Sequence, residues 1–151
     1  ADFAYWSGLP VGVARQGWGS AAERLISLET GSGTVWLPRE RAGWLEEPPP
    51  SEPLVSLAPS YDSYLLAYRD RGLAVAPEHD QKFRPGGGIL RPLVLVDGRA
   101  AGRWHSEKRH DSLLVTVEPF ARLRPVERER IAGEVADIGR FLGLEAELAL
   151  A

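Results

Sequence analysis

The sequence predicts an α+β chain. A partial winged helix spans residues 1–45, and an antiparallel β-barrel-like domain with a C-terminal helix spans residues 54–151. Three observations predict it. Helix, turn, helix and hairpin signals follow one another in the first 45 residues, the order of a winged helix. EEPPPSEP at 46–53 is unable to form a helix or a paired strand and reads as an extended Pro-rich linker. Beyond it, short apolar runs alternate with tight turns until Pro125, where the spacing becomes helical.

In the first unit, Asp2 to Trp6 read as the end of a helix and Ser7-Gly8-Leu9 as a tight turn. Pro10 suits the first position of the next helix, where a missing N–H costs nothing. Leu9, Val13, Gly17 or Trp18, and Ala21 share a face, which leaves Arg15, Gln16 and Ser20 outward. Leu25 to Glu29 and Thr34 to Leu37 flank Thr30-Gly31-Ser32-Gly33 as a hairpin. The first helix of a complete winged helix is missing and the sequence does not begin with Met, so a fragment of a longer protein is expected.

The second unit opens with a strand at Leu54 to Leu57 and a helical turn or two at Tyr61 to Tyr68. Ile89 to Val96 reads as a strand in which Pro92 marks an edge position or a bulge. Asp97-Gly98 is a hairpin turn, because a type I′ turn needs positive φ at both central residues. Arg99 to His105 returns, Ser106 to Asp111 forms a charged tip, and Ser112 to Glu118 is the next strand. The edges of such a meander need closure into a barrel or cover by a helix. Pro125 opens the last helix, with Ile131, Val135, Ile138 and Leu142 on one stripe and Gly143 as its stop. Gly133 and Gly139 weaken that helix, so packing on the sheet must hold it. Tyr61, Tyr64, Tyr68, Phe83, Trp104 and Phe120 are expected in the core.

The chain has no cysteine, which excludes disulfides, thiolate catalysis and thiolate metal sites and suits a reduced cytoplasmic setting. No apolar run approaches the roughly 18 residues that span a bilayer, and no signal peptide is visible. The net charge of −3 is unevenly spread. Residues 1–53 hold 4 basic and 7 acidic side chains, residues 54–124 hold 11 and 8, and residues 125–151 hold 3 and 6. The middle block is therefore the part suited to a polyanion.

Several groups offer chemistry, each with a plainer alternative. Arg15 and Gln16 on the second helix are placed to meet base edges or phosphates in a major groove, unless the unit is scaffolding. Arg69 and Arg71 would sit on phosphates with Asp70 fixing one of them, or form an internal Arg–Asp clamp. Arg84-Pro85-Gly86-Gly87-Gly88 is followed by a strand and lacks Gly-Lys-Ser/Thr, so it reads as a sharp bend or a close backbone approach, with contact to a DNA backbone as the other reading. His105 to Asp111 has no usual metal spacing; it is a basic tip probing a groove or a solvated turn. No nucleophile elbow, zincin pair or nucleotide fingerprint occurs, and no metal or cofactor is implied.

The blocks YLLAYRDR (64–71) and RPGGGILRPLVLVDGRAAGR (84–103), with Lys82 and Phe83 between them and followed by GRW (102–104) and VEPF (117–120), resemble the C-terminal half of a winged-helix DNA-binding family. That family includes the crosslink-repair and azinomycin-resistance DNA glycosylases. ADFAYWSGLP (1–10) is similar to its last winged helix before the C-terminal β-barrel. The resemblance implies tandem winged helices and a barrel that clasp double-stranded DNA, with a catalytic Gln-apolar-Gln or Gln-apolar-Asp motif far upstream. Gln16, followed by Gly17-Trp18, and Gln81, followed by Lys82-Phe83, do not fit that motif. The expectation is the DNA-binding C-terminal part of such a repair protein, not catalytic by itself; the alternative is a non-catalytic winged-helix regulator or structural DNA-binding protein. Arg69, Arg71, Arg84, Arg91, Lys108 and Arg109 are the expected phosphate contacts, with Arg15 and Gln16 from the first unit.

Overall fold

The computed structural model describes residues 2–31 and 33–151, so Ser32 of the expected hairpin turn lies outside them. The chain divides into two compact units, residues 1–50 and 51–151.

In the first unit, α1 (Asp2–Ser7) and α2 (Val11–Ala21) precede the antiparallel strands β1 (Leu25–Thr30) and β2 (Gly33–Pro38). Pro10 stands just before α2 as its cap, one position earlier than the spacing predicts, and its carbonyl accepts the first helical bond from Ala14 at 3.0 Å. Trp18 of α2 meets Trp36 of β2 edge-on, with centroids 5.4 Å apart, the geometry that aromatic quadrupoles favour. A 3₁₀ segment at Arg39–Leu45, which the sequence reading leaves unassigned, follows β2 and places Arg41 over the Trp44 ring at 4.2 Å. Ala14 is the one buried apolar side chain among the described residues of this unit.

The second unit is built on a sheet in the order β3 (Val55–Ala58), β4 (Leu93–Val96), β5 (Arg99–Arg109), β6 (Ser112–Pro119), β7 (Glu145–Leu150). Successive strand residues point to opposite faces, so the Leu93-Val94-Leu95 run feeds two cores. Leu93 and Leu95 join Leu65, Val75, Phe83 and Leu90 on one face. Val94 joins Val117, Leu123 and Ile131 on the other. Helix α5 (Pro125–Leu142) covers that second face; the first is covered by the segment between β3 and β4, which carries the short helices α3 (Ser63–Leu66) and α4 (Asp80–Phe83). Burying each large apolar side chain here contributes about 1.5–3 kcal/mol.

Several details differ from the expectation. The sheet does not close into a barrel among the described residues, and it is not wholly antiparallel, because β7 pairs parallel to β6. Strand β7 is absent from the sequence reading although Glu145 to Leu148 alternates in polarity after the Gly143 stop. The strand before the turn begins only after Pro92, since proline has no N–H for the ladder. The bulge comes later, where Val94 pairs with Gly102 but Leu95 pairs with Ala100, leaving Ala101 extra. Strand β5 continues to Arg109, so the charged tip shrinks to His110 and Asp111. Leu142 is exposed, and the inward stripe of α5 runs through Ile131, Val135 and Gly139, with Ile138 half-buried.

The Asp97-Gly98 turn forms as expected, with φ of 50° and 75°. It also anchors its surroundings. Asp97 N–H donates to Leu54 O at 2.8 Å and the Asp97 carboxylate accepts from Leu54 N–H at 2.9 Å. The Tyr64 hydroxyl donates to Gly98 O at 3.1 Å, which fixes α3 to the same turn. On the sheet itself, Trp104 Nε1 donates to Ala58 O at 2.9 Å and ties β5 to the end of β3.

The two helical glycines separate packing from propensity. A Cβ on Gly139 would lie 2.8 Å from both Ala146 Cβ and Leu144 O, whereas one on Gly133 meets nothing within 4 Å. Gly139→Ala is expected to lower stability by about 1–3 kcal/mol through overpacking against β7. Gly133→Ala is expected to raise it by about 0.5–1 kcal/mol through helix propensity. Urea denaturation with an unchanged m-value reads both.

Candidate nucleic-acid interface

The eight residues expected to meet DNA fall in three places. Arg15 and Gln16 are exposed on α2 in the first unit. Arg69, Arg71, Arg84 and Arg91 belong to the segment that covers the sheet face of Leu93 and Leu95. Lys108 and Arg109 are the last residues of β5. Two of the eight meet directly, Arg71 Nη1 donating to Arg69 O at 3.4 Å.

Local structure uses part of this charge. Arg71 donates through Nε to Leu65 O, the carbonyl of the turn that ends α3, and its own carbonyl accepts from Ala74 and Val75 N–H. Its guanidinium therefore works as a C-terminal clamp, satisfying a carbonyl that the short helix leaves open. The expected Arg–Asp clamp is not the form this takes: Asp70 Oδ1 accepts from Gly72 N–H at 2.9 Å, an Asx turn. Arg84, the residue that ends α4, is held by Asp80 one turn earlier in a two-pronged pair, Nε to Oδ1 at 2.8 Å and Nη2 to Oδ2 at 2.6 Å. Arg91 is half-buried, and its N–H donates to Phe83 O at 3.1 Å. The glycines after Arg84 have φ of 114°, 63° and 76° with open space where side chains would be. They make a bend that needs positive φ and not a close backbone approach.

The hairpin end is different. The β4 partner of β5 ends at Arg103, while β5 and β6 stay paired out to Arg109 and Ser112. The outer edge of β5 from Trp104 to Arg109 has no strand neighbour among the described residues. Alternation turns Lys108 and Arg109 to opposite faces. Both are exposed, and neither side chain makes a hydrogen bond or ion pair within the described structure. Nearer the sheet centre the arginine is consumed: Arg103 pairs with Glu118 across the ladder, and His105 Nδ1 lies 3.9 Å from the other oxygen of the same carboxylate. The sequence reading did not pick out this Arg103–Glu118–His105 group; facing positions on paired strands are its only signal. The expected core aromatics also divide. Phe83 is fully buried and Trp104 and Phe120 are half-buried, but Tyr61, Tyr64 and Tyr68 are 52%, 42% and 47% exposed.

Residues 1–141 match the family described as DNA glycosylase AlkZ-like. The chain belongs to the AlkZ-like DNA glycosylase family. Its fold is similar to that of Streptomyces sahachiroi DNA glycosylase AlkZ, with a TM-score of 0.75 over 99% of this chain at 24% identity. The chain spans 40% of that solved structure. No curated protein matches it. No helix among the described residues is long and apolar enough to cross a membrane.

The clamp and the free cations make opposite predictions for stability. Arg71→Ala is expected to cost about 1–3 kcal/mol, because it leaves the carbonyl of the buried Leu65 without its charged donor. Arg109→Ala is expected to stay within about 0.5 kcal/mol of the parent, as an exposed side chain without partners should. Paired thermal or urea unfolding curves decide between them.

Proposed function

We propose that this AlkZ-like chain is the DNA-binding C-terminal part of a DNA repair protein of the glycosylase type. In this reading residues 1–45 act as a partial winged helix, residues 46–53 as a Pro-rich linker, and residues 54–151 as the sheet domain. The observation that carries the reading is the end of the β5–β6 hairpin, where β5 and β6 pair past the last β4 partner and, among the described residues, Lys108 and Arg109 have no internal partner. Family membership supports DNA as the polyanion that these cations meet. Arg15 and Gln16, exposed on α2, are the contacts proposed for the first unit. Arg91 remains a proposed contact in the covering segment; Arg69, Arg71 and Arg84 are secondary ones, because each already has an internal interaction.

Binding of this kind is electrostatic. Phosphate neutralisation releases counterions, so affinity falls steeply with salt and varies little with sequence. The alternative, a non-catalytic regulator or structural DNA-binding protein of this fold, makes the same contacts. Release of free base from alkylated or crosslinked duplex by the longer protein separates the two.

The binding test is fluorescence anisotropy with a labelled duplex across roughly 50–200 mM salt. The Lys108→Ala/Arg109→Ala double variant is expected to reduce the log–log salt slope by about 2. Arg84→Ala is expected to leave the slope nearly unchanged, because Asp80 already answers that charge. A double variant with parental affinity and slope would remove the hairpin end from the DNA surface.

A further inference from the structure

Strand β3 is an edge of the sheet, with β4 on one side and no strand on the other among the described residues. The two hydrogen bonds between Leu54 and Asp97 set the phase of the ladder. Antiparallel alternation then turns the backbone groups of Ser56 toward Leu95 and those of Val55 and Leu57 outward. The side chains of Val55 and Leu57 are used in the α5 core, so what this edge offers a partner is backbone.

Beside that edge lies a groove of about 670 Å³ between Glu52–Val55 and the first turns of α5. Gly133 contributes no side chain to its wall, and a Cβ there would meet only open space. The charge of the lining is one-sided. Glu52, Glu129, Glu134 and Asp137 face a single cation, Arg130, which is already paired with Glu52. Asp137 is paired with Arg140, while Glu129 and Glu134 have no ion pair among the described residues. The lining repels phosphate, so this surface is independent of the proposed DNA interface.

We propose that the groove between the β3 edge and α5 binds an extended Lys/Arg-rich peptide segment of a partner protein by adding a strand to β3. Main-chain bonds to Val55 and Leu57 would supply the alignment, and alternate basic side chains of the peptide would reach Glu129 and Glu134. The opposed charges would set which segments are accepted and how fast they arrive.

The test is an amide-resolved NMR titration of the 151-residue chain with a synthetic peptide of alternating Lys and Val, about seven residues long, enough to span a four-residue strand with overhang. The proposal expects saturable shifts at Val55 to Leu57 and along α5 from Glu129 to Asp137. It expects affinity to fall by at least about tenfold in Glu129→Lys/Glu134→Lys. A peptide with proline at its central position should bind no better than that variant, because it lacks the ladder donor. The fold of the variant is checked by circular dichroism; both substituted positions are off the core. Absence of saturable binding overturns the proposal. So do affinity that survives the charge reversal, equal binding of an alternating Glu and Val peptide, and shifts at the same amides on adding duplex DNA. None of these outcomes depends on whether the hairpin end binds DNA.

Discussion

The constraint on which the second unit rests is the burial of Leu93 to Leu95 on both faces of the sheet. A strand with apolar side chains on one face needs one cover; this one needs two. Helix α5 supplies the first through Ile131 and Val135 against Val94, Val115 and Val117. The other comes from a long segment with little regular structure, pinned by Leu65, Val75, Phe83 and Leu90. That segment must hold its shape without long helices, and this explains where its polar residues go. Asp62 caps α3, Asp70 closes a turn, Arg71 clamps a carbonyl and Asp80 holds Arg84. The same demand makes the Asp97-Gly98 turn a junction, since it ties down both Leu54 and Tyr64.

The distribution of free charge follows from this division. Guanidiniums close to the packed sheet are drawn into internal pairs, as Arg84 and Arg103 are. Where the β5–β6 ladder runs past β4, Lys108 and Arg109 are exposed and have no ion pair among the described residues. Of the six acidic residues in 125–151, Glu129, Glu134 and Asp137 lie along α5 beside the β3 edge. A net charge of −3 is thus compatible with a locally cationic end, because fields from exposed charges fade over about 8–10 Å in salt.

The fold was legible where a single residue type forces the backbone. Pro125, Asp97-Gly98 and Gly143 each stand where their chemistry requires, as helix start, hairpin turn and left-handed helix end with φ of 67°. It was illegible where the partner decides. Strand β7 is short, acidic and becomes a strand only by lying parallel to β6, a pairing that nothing local encodes. The place of Gly139 on the inward stripe is likewise visible only once Ala146 is opposite. Of the candidate site, the residue types were readable but their availability was not. Arg71, Arg84 and Arg109 look alike in sequence; a carbonyl, a carboxylate and open solvent tell them apart. The three half-exposed tyrosines were misplaced for a related reason, because hydrophobic size predicts burial only when a neighbouring layer exists to provide it.

Hydrogen exchange of the chain with and without a short duplex is the most direct measurement of the central claim, since it locates the DNA surface without altering any residue. Slowed exchange is expected at the end of β5 and the start of β6, from His105 to Ser112, with unchanged exchange along α5 and β7. Protection confined to α5 or β7, or no protection at the hairpin end under conditions where the duplex is bound, would contradict it.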